Sequence, residues 1–157
     1  MGRLAWLVII ATAACAAMGG AGGGVREDLT SDEAHARLRQ IILDTAEAAA
    51  PGAPHPVSID IGPSFCEEAD IAPHVFSTWG VDIAISDGRQ PADLLPAVEA
   101  RWEERGYDID RRHLDDPHPD LLSSVEGFTF RALAVPGSGI LTISGDTPCV
   151  PNPEYPG

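Results

Sequence analysis

The chain is 157 residues long and carries ten arginines, no lysine and 24 acidic residues, for a formal charge of −14. That length holds one domain with a proper core but hardly two. Such an excess of acid repels phosphate backbones and anionic head groups, which excludes nucleic-acid binding and electrostatic adsorption to a membrane.

Arg3 precedes an apolar run from Leu4 to Ala14. The run has the length of a signal-peptide h-region and falls short of the roughly 20 residues of a membrane-spanning helix. Small residues, Thr12-Ala13-Ala14, lead up to Cys15. This stretch resembles the lipobox of bacterial lipoproteins, with Thr12 where such boxes usually carry Leu, Val or Ile. The resemblance implies cleavage after Ala14 and acylation of Cys15, and so a membrane partner reached through the acyl chains alone. The competing reading is a secretory signal cut near Ala11-Thr12-Ala13, releasing a secreted protein. Once residues 1–14 are removed, nine arginines face the 24 acids and the charge becomes −15. Residues 15–29 contain Gly19-Gly20-Ala21-Gly22-Gly23-Gly24 and read as a flexible tether, which would set the domain some 20 Å from an anchor.

The domain is expected over residues 30–150. Thr30-Ser31-Asp32-Glu33 matches a capping box. Ala34, Leu38, Ile41, Ile42, Thr45 and Ala49 then recur at helical spacing on one face, and Pro51-Gly52 ends the helix. Val57, Ile59 and Ile61 alternate with Ser58 and Asp60 as a half-buried strand should, and Cys66 follows in a loop. Trp79, Val81, Ile83 and Ile85 alternate again. A second helix is punctuated by Pro91 and Gly106 and buries Leu94, Leu95, Val98 and Trp102, with Pro96 expected in its first turn. Further strands are expected at Tyr107 to Asp110, Leu121 to Val125, Phe128 to Val135 and Ile140 to Ser144. Pro136-Gly137-Ser138-Gly139 makes the last hairpin loop. Residues 151–157 read as a frayed tail.

This order predicts an α+β fold, a mostly antiparallel sheet of about four to five strands with two helices packed on one face. The capped helix, the Trp79 strand, Arg101-Trp102-Glu103-Glu104-Arg105-Gly106-Tyr107, Gly127-Phe128-Thr129-Phe130 and Thr147-Pro148-Cys149-Val150 together resemble small actinobacterial lipoproteins of the mycobacterial LppA-like kind. The resemblance implies a place in the cell envelope and no particular chemistry.

Three cysteines are an odd number for an exported chain, and acylation of Cys15 would leave Cys66 and Cys149 to form a disulfide. Two free catalytic thiols are the alternative, but Glu67, Glu68 and Asp70 beside Cys66 are the wrong company for a thiolate. His113, Asp115, Asp116, His118 and Asp120 supply imidazole and carboxylate within eight residues, as a weak zinc-type site would, although an acidic Pro-containing loop has the same composition. Trp79 and Trp102 could line a ligand groove, yet both fall on apolar faces and core packing is preferred. No catalytic constellation and no cofactor motif emerges. The expectation is therefore a lipid-anchored protein on the outer face of the cytoplasmic membrane that binds or scaffolds an envelope partner. The alternative is a secreted or anchored protein that binds a small molecule or metal.

Overall fold

A computed structural model of the chain describes residues 24–67 and 73–155. The signal segment, Cys15 and the tether up to Gly23 lie outside the described residues.

Helix α1 (Ser31–Ala49) begins where the sequence places it. The Glu33 amide donates to Thr30 Oγ1 at 3.3 Å and the Thr30 amide donates to Glu33 Oε2 at 2.9 Å, so two orphan amides of the first turn are satisfied reciprocally. Its buried face is Ala34, Leu38, Ile42, Thr45, Ala46 and Ala49. Strands β1 (Val57–Phe65) and β2 (His74–Ala84) follow. A 3-10 turn at Pro91–Leu94 then runs into α2 (Leu95–Glu104). Pro96 sits in the first turn of α2, where its missing N–H interrupts no helical bond. The chain continues through β3 (Asp108–Asp110), β4 (Asp120–Val125), β5 (Phe128–Ala134), β6 (Ile140–Asp146) and β7 (Val150–Pro151).

The fold is α+β, as expected, but the sheet has seven strands rather than four to five. Six of them run β1-β2-β6-β5-β4-β3, every neighbouring pair antiparallel, and β7 pairs with the start of β2. The seventh strand arises because the Cys66–Cys149 disulfide holds Cys149 beside the β1–β2 hairpin, which lines up Val150 with Val75 and Pro151 with His74. Both ends of the domain accordingly lie outward of the expected limits. Val25 bridges Cys149 in parallel and the Arg26 amide donates to the Cys149 carbonyl at 2.8 Å, so residues expected to belong to the tether lie along the sheet. At the other end Asn152 is buried.

One face of the sheet carries the core. Trp79, Val81 and Ile83 of β2, Leu141 and Ile143 of β6, Phe128, Phe130, Ala132 and Ala134 of β5 and Leu121 of β4 are all buried against the two helices. Gly145 lets α1 approach closely: a Cβ there would meet the Thr129 carbonyl oxygen at 2.5 Å and Leu38 Cδ1 at 3.1 Å. The helices are joined by Asp44, which receives Nε of Arg101 at 2.8 Å, and by the Trp102 indole, whose Nε1 donates to Thr45 Oγ1 at 3.0 Å.

Candidate functional site: the open face of the sheet

In a strand, alternate residues point to opposite faces, and directly opposed residues of paired strands share a face. The registers therefore define what the uncovered face presents. One row crosses the sheet as Ile61, Thr78, Asp146, Thr129, Ser124 and Asp108, one residue from each of β1, β2, β6, β5, β4 and β3. The adjoining row reads Ile59, Gly80, Ser144, Arg131, Leu122 and Asp110. Hydroxyls and carboxylates dominate the first row, the second mixes Ser144, Arg131 and Asp110 with apolar residues, and no helix of the described residues covers them.

Five strands bend around a cleft of about 530 Å³ lined by these residues from Thr78 to Asp110. At the usual strand spacing it reaches about 19 Å across the sheet. The middle of the cleft is Asp146. Thr78 Oγ1 donates to its Oδ1 at 2.5 Å, and Thr129 Oγ1 stands 3.5 Å from its Oδ2. Along β2 and β6 the pattern repeats, with Thr142 Oγ1 donating to Asp82 Oδ1 at 2.8 Å.

Charge in the cleft is unevenly compensated. Arg112 donates from Nε to Asp110 Oδ2 at 2.8 Å and, with its backbone amide, holds that carboxyl down at about 2. Arg131 donates from Nε to Asp120 Oδ2 at 2.6 Å. Asp108 and Asp146 have no ion-pair partner among the described residues. Asp120 is buried, 5% exposed, and its second oxygen has no hydrogen-bond partner among the described residues.

The loop from Arg111 to Pro119 brings His113, Asp116, Pro117 and His118 to an adjoining hollow of about 470 Å³, which shares Leu122 and Arg131 with the cleft. The loop flagged in the sequence thus borders the open face, but not as a metal centre. Among the described residues no three His, Cys, Asp or Glu side chains converge to hold a metal ion. His113 Nδ1 lies 3.0 Å from Asp116 Oδ2, Asp120 is taken by Arg131, and Asp115 and His118 are exposed. A ligand groove at Trp79 and Trp102 is likewise corrected. The two indoles are 1% and 0% exposed on the covered face, where Arg39 stacks over Trp79 and Trp102 packs 6.3 Å from Phe130. Their apolar surface is used up in the core. Cys66 and Cys149 are joined, with Cα atoms 6.1 Å apart.

Sequence reasoning missed Thr78, Ser124, Thr129, Arg131, Ser144 and Asp146. Each stands at the polar position of an alternating strand and reads locally as an ordinary solvent-facing residue. A usable signal was the choice of short hydroxyl and carboxylate side chains at those positions, Thr129 on β5 and Thr142, Ser144 and Asp146 on β6, in place of the long charged residues that usually cover an exposed sheet. Compared with known protein families, with curated proteins and with solved structures, the chain matches none.

Proposed function

We propose that the protein is a cell-envelope lipoprotein, anchored through acylated Cys15 on the outer face of the cytoplasmic membrane, that works by binding rather than by catalysis and uses the open sheet face to do so. The observation that carries the reading is the asymmetry of the sheet. One face is closed by two helices, while the other keeps aligned Thr, Ser and Asp side chains from five strands around a cleft that no helix of the described residues covers. Aligned polar groups on a rigid sheet are pre-organised to meet a ligand or partner at little conformational cost. The export-type N-terminus and the likeness to small actinobacterial lipoproteins support the location. The cleft itself favours the small-molecule form of binding, because its volume lies in the range of ligand pockets.

Two experiments test this. Mass spectrometry of the mature N-terminus should find a lipid-modified Cys15, and an unmodified terminus beyond it would overturn the anchor. For the face, a photo-crosslinking residue placed at Thr129 or Ser144 should capture a reproducible envelope component in cells, whereas the same residue at the exposed Ala100 of α2 should not. Equal capture from both sides would remove the open face as the binding surface.

A further inference from the structure

We infer that the open-face cleft takes a basic α-amino acid, held by its carboxylate on Arg131, its α-ammonium on Asp146 and its side-chain cation on Asp108. The inference rests on the open face being a binding surface and specifies what that surface binds.

Arg131 and Asp146 lie on the same face as diagonal neighbours. Thr129 is opposite Asp146 and Arg131 is two residues further along β5, a Cα separation of about 7–8 Å. Opposite charges this close commonly pair, and these two do not. Arg131 is turned instead toward Asp120 and donates to it from Nε, and its two terminal nitrogens make no hydrogen bond among the described residues although the side chain is half exposed. That leaves the outward edge of a guanidinium, which suits a carboxylate. Asp146 has hydroxyl donors from Thr78 and Thr129 but no cation. The gap between them thus offers a cation site beside an anion site, the complement of an ammonium and a carboxylate on one carbon.

Two further features fix the rest of the ligand. From Arg131 the second row continues to Asp110 on β3, about 10 Å across two strand spacings, and its apolar floor is the side chain of Leu122. Asp108, two residues from Asp110 on β3 and opposite Ser124, lines the cleft with no ion-pair partner among the described residues. An aliphatic side chain with a terminal cation satisfies both the floor and the carboxylate. Independently, the buried Oδ1 of Asp120, in the wall of the adjoining hollow that Arg131 also lines, lacks a donor among the described residues. An unsatisfied buried carboxylate oxygen is costly, and a donor brought in with the ligand and its water would satisfy it. Asp108, Asp110, Asp120 and Asp146 face only Arg112 and Arg131 among the described residues, and the excess of carboxylate calls for a ligand of net positive charge.

The test is calorimetric titration of the full chain with L-lysine, beside three relatives that each lack one group: Nα-acetyl-lysine, lysinamide and norleucine. Lysine should bind at one site, and each relative about tenfold more weakly or worse. Asp146→Asn and Arg131→Lys should each lower the affinity for lysine by about tenfold, and Glu104→Gln on α2, outside the cleft, should leave it unchanged. Arg131→Lys keeps a cation beside Asp120. If it nevertheless fails to fold by its melting curve, Asp146→Asn, on the open face, carries the test. No heat with lysine up to about 10 mM, or equal binding of lysine and lysinamide undiminished by Asp146→Asn, would overturn the inference, the latter pattern being general attraction of cations to an acidic protein. If lysine fails while crosslinking from Thr129 and Ser144 still captures a partner, only the ligand assignment falls. If both are silent, the binding role of the face falls with it.

Discussion

Single side chains decide how tightly the covered face is closed. The Trp102 indole reaches Thr45 across the helix pair, and Thr45 Oγ1 in turn donates to the Ile41 carbonyl at 2.8 Å, so one buried hydroxyl serves as acceptor and donor. Thr45→Val keeps the shape and removes the acceptor, leaving a buried indole N–H unpaired, which should cost about 1–3 kcal/mol in urea unfolding. A loss no larger than that of an exposed Thr→Val change would contradict the role of this bond. At the opposite corner His74 stands between two carboxylates, with Nε2 at 2.9 Å from Glu27 and Nδ1 at 3.1 Å from Glu67. Hydrogen bonds donated to Glu27 first and Glu67 second raise its pKa above the ordinary imidazole value of about 6.5. The sign follows from the raised native value. The stabilisation is full below about pH 6.5, where the folded and unfolded chains both hold the proton, and it fades as pH rises through the native pKa. The melting-temperature advantage of the native protein over His74→Gln should therefore be complete at about pH 6 and gone where NMR shows His74 neutral. An advantage independent of pH would mean that His74 acts by packing alone.

At the scale of elements, α1 depends on a single missing side chain in the sheet. Gly145 lies under Leu38, and a methyl group there would also press on the Thr129 carbonyl oxygen, a backbone atom that cannot step aside. Gly145→Ala should lower stability by roughly 1–3 kcal/mol, seen as a lower urea midpoint with unchanged slope. An unaltered midpoint would show that α1 has slack to give. The helices were legible in the sequence because their information is local: a capping box at Thr30, helical spacing of Leu38 and Ile42, proline at the start of α2 and glycine after its end. Strand β1 shows where local reading fails. Its alternation of Ile59 and Ile61 suggests inward-facing apolar residues, but an irregular register after Val57 sets them opposite Gly80 and Thr78, on the open face. Ile61 is in consequence 57% exposed. Likewise Asp146, Arg131 and Asp108 are 15 or more residues apart in sequence and share a cleft only through the register of four strands. Nothing in the spacing of the chain records which residues a ladder will oppose, so the loop at His113 could be singled out while the site it borders could not.

For the molecule as a whole, the decisive tie is the one that joins its two ends. Cys66 and Cys149 close a loop of 83 residues, worth on the order of 4–5 kcal/mol if its effect is to restrict the unfolded chain. The same bridge fixes Cys149, and Cys149 is what Val25 pairs with and what the Arg26 amide bonds to. The segment leading toward Cys15 is thus held to the sheet beside the disulfide, with Glu27 and His74 as a second contact close by. This arrangement separates two consequences of breaking the bridge. The double variant Cys66→Ala, Cys149→Ala should lose about 2–5 kcal/mol of global stability. In hydrogen exchange, which reads local opening as well as global unfolding, the Arg26 amide should lose far more protection than the amide of Ala132 in the central strand β5, because β5 depends on β4 and β6 and not on the bridge. If both amides lose protection equally, the disulfide acts only through the unfolded chain. If Arg26 alone becomes labile, the bridge is what holds the N-terminal segment at Val25 and Arg26 against the domain.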